Sequence, residues 1–216
     1  MDHILSTKEA ILKAGQEILR SHLVVGTWGN VSCRIAGENL FAITPSGMDY
    51  GKITPDDVVI VDLNGKIVAG RRKPSTELPL HLIFYQNRPD VEAIVHTHST
   101  YATAFACARK EIPPLVEDLV QIVGGGVRVA QYALPGTREL GQLALDAARG
   151  RRAVLLANHG LLALGTQLDE ALKIALVVEK AAQVAIFATL LGGPVLLSPE
   201  DVETMHQFYL NRYGQR

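Results

Sequence analysis

The sequence predicts an α/β fold, a largely antiparallel sheet covered by helices. Three observations carry this expectation. Apolar, β-branched runs in the first third are joined by short polar turns, as hairpin-paired strands are. Helical patterns are interspersed without the regular strand–helix alternation of a doubly wound sheet. A chain of 216 residues with 48% hydrophobic content can bury one large core, so residues 1–216 are read as a single domain.

The elements follow in order. "STKE" at 6–9 reads as a capping box, Ser6 with Glu9, opening a helix whose apolar pairs Ile11/Leu12 and Ile18/Leu19 recur seven residues apart. "LVVGTWGNVSCRI" and "NLFAITPSGMDYGKI" are short strands broken by polar turns, and "DDVVIVDLNGKIVAG" is a hairpin around Asn64-Gly65. "KPSTELPLHLIFYQNRP" is a helix capped by Ser75 or Thr76, with Pro79 tolerable in its first turn and Pro89 beyond its end. "VEAIVHTH" is a strand and "STYATAFACARK" a helix of small residues. "GGGVRVAQYALPG" is a glycine loop and strand, followed by a helix from near Thr137 to Gly150. "RRAVLLANHGLLALG" is two strands broken at Asn158-His159-Gly160. A long helix over "LDEALKIALVVEKAAQVAIFATLLGG" and a last one with Pro199 at its first position complete the chain.

Composition excludes several function classes. A net charge of −1 with dispersed charges predicts neither a nucleic-acid footprint nor a polybasic membrane patch. Cys33 and Cys107 stand far apart in no paired metal spacing, which fits a reducing compartment, the cytoplasm. The N-terminal stretch is helix-patterned and charged, not a basic segment before an apolar one, and no apolar run reaches membrane-spanning length.

The chemistry concentrates in histidines. His96 and His98 alternate onto one face of a strand, so both imidazoles project the same way. Two satisfied polar groups would account for that pair as well as a metal would. His159, also at the end of an apolar strand and followed by glycine, moves the reading to metal, because catalytic zinc takes three protein ligands and an open position. His3, His22, His81 and His206 fall in helices or at a terminus, where a lone histidine is ordinarily a surface or hydrogen-bonded residue. Glu77 either favours the positive end of a helix dipole or serves beside a metal as ligand or base. The loops "GTWGN", "TPSG" and "PST" have the hydroxyls and backbone amides of a neutral anion cradle, each weak alone. "GTWGN" lacks the spacing of a dinucleotide fingerprint, and "GGG" at 124–126 reads as a turn.

In order along nearly the whole chain, "GTWGNVS", "ITPSGMDY", "STELPLHLIFYQNRPDVEAIVHTHS", "YALPGTREL" and "LANHGLLALG" resemble the class II sugar-phosphate aldolases of the fuculose-phosphate type. Related epimerases, methylthioribulose-phosphate dehydratases and adducin head domains share the pattern. The resemblance implies a three-layer fold with helices on both faces of a mostly antiparallel sheet. It implies a homotetramer with active sites between subunits, and a sugar phosphate as the only class of partner. It matches His96, His98 and His159 to zinc ligands, and Glu77 to the carboxylate that completes the metal shell and carries protons. It matches Thr27, Asn30, Ser46, Gly47, Ser75 and Thr76 to the substrate-phosphate pocket. The mobile-tail tyrosine matches Tyr213, with Tyr209 as the alternative. One departure stands out: Glu117, with Asp118 beside it, occupies the place of the aldolases' proton-donating tyrosine, and the dehydratases carry a glutamate there. The expected activity is zinc-dependent cleavage of a ketose 1-phosphate, such as fuculose 1-phosphate, to dihydroxyacetone phosphate and a short aldehyde. Dehydration of methylthioribulose 1-phosphate, 4-epimerisation and a non-catalytic adducin-like interaction module are the rivals.

Overall fold

The computed structural model describes residues 3–215, so residues 1, 2 and 216 of the expected domain lie outside the described residues. Its eight-stranded sheet runs β4-β3-β2-β1-β5-β8-β7-β6. The strands are β1 (Asn30–Arg34), β2 (Leu40–Ile43), β3 (Val59–Asp62), β4 (Ile67–Ala69), β5 (Ala93–Thr97), β6 (Val129–Ala130), β7 (Ala153–Leu156) and β8 (Gly160–Gly165). Only β6 with β7 pairs in parallel among the described strands; the other neighbours are antiparallel, as the hairpin signals predict. The Asn64-Gly65 hairpin closes where the Gly65 amide donates to the Asp62 carbonyl, 3.0 Å away.

The helices are α1 (His3–Arg20), α2 (Leu78–Asn87), α3 (Thr100–Ala108), α4 (Glu117–Val123), α5 (Arg138–Ala147), α6 (Leu168–Leu190) and α7 (Pro199–Arg212). Because alternate strand residues face opposite ways, the sheet builds two cores. Val31, Ala93 and Val95 join a core with Ile11 and Ile18 of α1, Leu119 of α4, and Ile174 and Val178 of α6. Ile94, Phe41 and Ile43 join another with Leu80 and Phe84 of α2 and Leu140 of α5. Helices therefore cover both faces, the expected three layers. Among the described residues no helix is long and apolar enough to cross a membrane.

Local details depart from the expectations. The α1 helix already includes His3, so Ser6 is not a cap; its hydroxyl bonds back to the His3 carbonyl at 3.1 Å. Neither Ser75 nor Thr76 caps α2, because Glu77 occupies that position. The Ser75 hydroxyl accepts the Glu77 amide at 3.2 Å instead, a serine turn that presents both residues to one side. The helices expected to start near Thr137 and at Pro199 do so, and Thr137 and Ser198 cap them, each accepting from an amide three residues on. The seven-residue α4 was not expected, and the "GGG" that follows it ends that helix in a left-handed turn at Gly124.

Candidate metal centre and substrate cavity

The metal-ligand candidates meet at one end of the sheet, where β1 begins, β5 ends and β8 begins. Register fixes this: Asn30 stands opposite His96, and His96 opposite Leu162. His98 lies just past β5, and His159 occupies the β7–β8 turn. Asn158 makes that turn in the left-handed region at φ 54°, which asparagine tolerates and most residues do not. Glu77 reaches the cluster from the start of α2. One ligand atom from each of Glu77, His96, His98 and His159 lies within 4.8 Å of every other.

The hydrogen bonds show what these atoms await. His96 Nδ1 donates to the Leu161 carbonyl at 2.9 Å, which leaves the Nε2 lone pair pointing inward. That lone pair faces His98 Nε2 at 3.0 Å and Glu77 Oε2 at 3.0 Å. His159 Nε2 lies 3.5 Å from Glu77 Oε1, which is buried without a hydrogen-bond partner. Acceptors so converged require a cation between them, either a proton or a metal ion. The donor set, three imidazoles and a carboxylate, suits a first-row divalent ion.

Electrostatics divide the cluster. Burial disfavours the Glu77 carboxylate, but the His96 and His159 imidazoles and the Asn30 amide outweigh it and hold the group below the usual carboxylate range. Burial opposes a charged His96, and the Glu77 carboxylate outweighs that in turn, raising its pKa. Burial and the neighbouring imidazoles lower His98 to about 3 and His159 to about 4. Both are therefore neutral, the form that ligates metal.

Above the cluster opens a cavity of about 330 Å³ lined by Thr27, Asn30, Ser46, Gly47, Ser75 and Thr76. All six expected phosphate residues thus share one cavity with Glu77, His98 and His159. No lysine or arginine lines it, so hydroxyls, backbone amides and the metal site supply its attraction for an anion. Gly29 allows the loop to approach: at φ 76° its missing Cβ would stand 2.7 Å from the His96 carbonyl oxygen.

The other expected site residues lie elsewhere in this chain. Glu117 is exposed at the first position of α4 and does not line the cavity. Tyr213 follows α7, exposed, with its ring 5.3 Å from that of Tyr209. Conversely, Trp28 and Pro135, which no motif marks as site residues, also line the cavity. Trp28 is 65% exposed and stacks on His98 at 5.7 Å between ring centroids. Its place inside the "GTWGN" loop was the available signal. His81, by its sequence position an ordinary helical histidine, is wholly buried and bonded to Asn30.

Comparison with known proteins agrees with this geometry. The chain is 40% identical over 209 residues to the 5-deoxy-D-ribulose 1-phosphate aldolase of Bacillus thuringiensis serovar kurstaki, covering 97% of each chain. It is 37% identical over 201 residues to the L-fuculose phosphate aldolase of Escherichia coli K12, covering 93% of this chain and 92% of that one. A solved L-fuculose 1-phosphate aldolase superposes with a TM-score of 0.92 at 43% identity, covering 95% of this chain and 96% of that one. Residues 9–186 match the family model described as the Class II Aldolase and Adducin N-terminal domain. With that match over most of its length, and with the histidine cluster and cavity in place, the chain belongs to the class II aldolase and adducin family.

Proposed function

We propose that the protein is a zinc-dependent aldolase that reversibly cleaves a deoxyketose 1-phosphate to dihydroxyacetone phosphate and a short aldehyde. The observation that carries this is the shared cavity: the His98 and His159 imidazoles and the Glu77 carboxylate line it, His96 completes their cluster from the buried side, and a cationless cradle of hydroxyls and amides forms its wall. The substrates named for the relatives favour it, since 5-deoxyribulose 1-phosphate and fuculose 1-phosphate are both deoxyketose 1-phosphates.

His96, His98 and His159, with Glu77, would hold the metal, which when bound supplies a Lewis acid for the ketose carbonyl and the charge that cleavage develops. Thr27, Asn30, Ser46, Gly47, Ser75 and Thr76 hold the phosphate and so fix where the carbonyl lies. Cleavage breaks the bond between C3 and C4 and leaves its electron pair on the dihydroxyacetone-phosphate carbon. Glu77 delivers the proton that carbon takes up. The C4 hydroxyl loses its proton as the aldehyde forms, and Glu117 from a neighbouring subunit of a homotetramer accepts it. Tyr213 closes over the aldehyde end from the C-terminal segment. This arrangement requires assembly to bring Glu117 and Tyr213 to a cavity that neither lines within one chain. One soluble, cytoplasmic domain spanning 1–216 completes the reading.

The acidic Glu117 favours one rival, a dehydratase acting on a methylthioribulose 1-phosphate. The test is turnover of a panel of ketose 1-phosphates coupled to dihydroxyacetone-phosphate detection, with product analysis. Release of dihydroxyacetone phosphate from a 5-deoxypentulose or 6-deoxyhexulose 1-phosphate is expected. Loss of water identifies the dehydratase, a rearranged ketose identifies an epimerase, and no turnover with the metal loaded refutes the enzymatic reading.

A further inference from the structure

Beneath Glu77 runs a buried chain of side-chain hydrogen bonds that leaves the cavity at Asn30 and, beyond Glu77, includes no metal-ligand candidate. Asn30 Nδ2 donates to Glu77 Oε2 at 2.9 Å. Asn30 Oδ1 lies 2.6 Å from His81 Nε2, His81 Nδ1 lies 2.6 Å from Ser32 Oγ, and Ser32 Oγ lies 2.7 Å from the Tyr85 hydroxyl. Every member is buried, Asn30 at 3% exposure being the most accessible of the four.

Two periodicities produce this alignment. Glu77, His81 and Tyr85 recur every four residues and therefore follow one face of α2, while Asn30 and Ser32 alternate onto one face of β1. The helix advances about 6 Å over four residues and the strand nearly 7 Å over two, so the rows interleave. Val31, between them, points into the opposite core.

Elementary valence gives the chain a single direction. A carboxylate only accepts, so Asn30 presents its amide nitrogen to Glu77 and its oxygen to His81. His81 must then carry its proton on Nε2. Burial lowers its pKa to about 3, so the ring is neutral and Nδ1 accepts from Ser32. The Ser32 proton being committed there, Tyr85 donates to Ser32. Reversing Asn30 would set its oxygen against the Glu77 carboxylate.

We propose that Asn30 and His81 are positioning residues for Glu77. The one-way relay from Tyr85 holds Oε2 against the Asn30 amide and leaves Oε1, the oxygen without a hydrogen-bond partner, as the atom presented to the reaction. Asn30 lines the cavity, and the two polar atoms of its side-chain amide are both engaged in the relay. A residue with no substrate contact thereby sets which carboxylate oxygen carries the proton. This rests on Glu77 being the proton carrier of the proposed aldolase.

The experiment has two arms. Long-range ¹⁵N–¹H spectra of the histidine-labelled protein should show one histidine protonated on Nε2 and bare on Nδ1, a signal missing from His81→Gln. Assignment of His81 to the Nδ1-protonated form overturns the relay, whether or not the protein is an aldolase. In the kinetic arm, His81→Gln keeps a donor at the Nε2 position, whereas His81→Asn does not reach it. A misplaced catalytic group costs about 100-fold per ångström, so His81→Asn should lower kcat about 10- to 100-fold with KM and bound metal unchanged. His81→Gln should recover most of that loss. The isosteric Asn30→Asp, which replaces the donor by an acceptor, should lower kcat as His81→Asn does if the latter folds poorly; because Asn30 also lines the cavity, only its kcat is compared. Equal losses in both His81 variants, or losses confined to KM or metal content, overturn the proposal. An inactive wild type refutes the aldolase reading and leaves the spectral arm to decide the relay.

Discussion

Substituting Gly160 by alanine should damage the metal centre without touching a ligand. Gly160 opens β8 between His159 and the end of β5. A Cβ there would stand 2.2 Å from the Thr97 carbonyl oxygen and 3.2 Å from the His98 ring. The near atom belongs to backbone, so no rotamer change relieves the clash. Ordinary contact would return only if the two strand ends parted by about 1 Å, where a few tenths of an ångström already forfeit much of the packing energy. Metal sites tolerate only ~0.2 Å in ligand position, so the displacement exceeds what His98 and His159 can absorb. Overpacking of this kind costs ~1–3 kcal/mol of stability, occasionally more. The expected result is therefore a lower thermal midpoint together with weaker metal retention in chelator competition. Gly51→Ala, whose Cβ would meet only the Asp49 side chain at 3.4 Å, is the control and should leave both unchanged. Wild-type metal affinity and stability in Gly160→Ala would refute the claim that close strand approach builds the site.

Three further outcomes follow from the same geometry. Removing the metal should lower the midpoint by about 8–16 °C: binding at 1,000 times Kd contributes ~4 kcal/mol, and chains of this size move ~2–4 °C per kcal/mol. An identical melting curve in the presence of chelator would contradict a structural contribution from the ion. Glu179 accepts the Tyr101 and Ala102 amides at 2.9 Å each, capping α3 from α6; Glu179→Ala should cost about 1–3 kcal/mol in urea unfolding, with a change below the error of the method counting against it. Metal-free protein should lose stability as pH falls from about 6.5 towards 4. Burial holds His81 and His98 at about 3 and His159 at about 4, so over that range the unfolded chain binds protons that the folded chain refuses. Glu77, held low by the imidazoles despite its burial, adds the same sign below the unfolded carboxylate range. His96 acts oppositely, since its raised pKa gives stability that is lost as pH rises. A urea midpoint that stays flat or climbs on acidification would show the sum to be wrong.

Much of this site was legible because its signals are local. "HTH" places two imidazoles on one strand face, "NHG" encodes a turn that only certain residues accept, and three hydroxyl-rich loops line one cavity. What escaped was non-local. His81 is an unremarked helical histidine until β1 pairs with β5 and turns Asn30 and Ser32 toward α2. The α1 helix starts at His3, before its apparent capping box, so Ser6 and Glu9 lie inside the helix and not at its cap. The α4 helix, seven residues after a proline pair, is too short to display a periodicity. Glu117 and Tyr213 are surface residues of one chain, and no pattern within a sequence states what another copy places beside them.

The order of the sheet also dictates when the site can exist. Strands β5 and β8, neighbours at its centre, are separated in the chain by α3, α4, β6, α5 and β7. Glu77, His96 and His159 therefore converge only after most of the polypeptide has been ordered, and such distant contacts form slowly because long loops must close first. The two apolar cores contain none of the metal-ligand candidates, so the ion need not nucleate the fold. It arrives as an inspector of finished work: a chain that holds the metal tightly has already brought its distant halves into register.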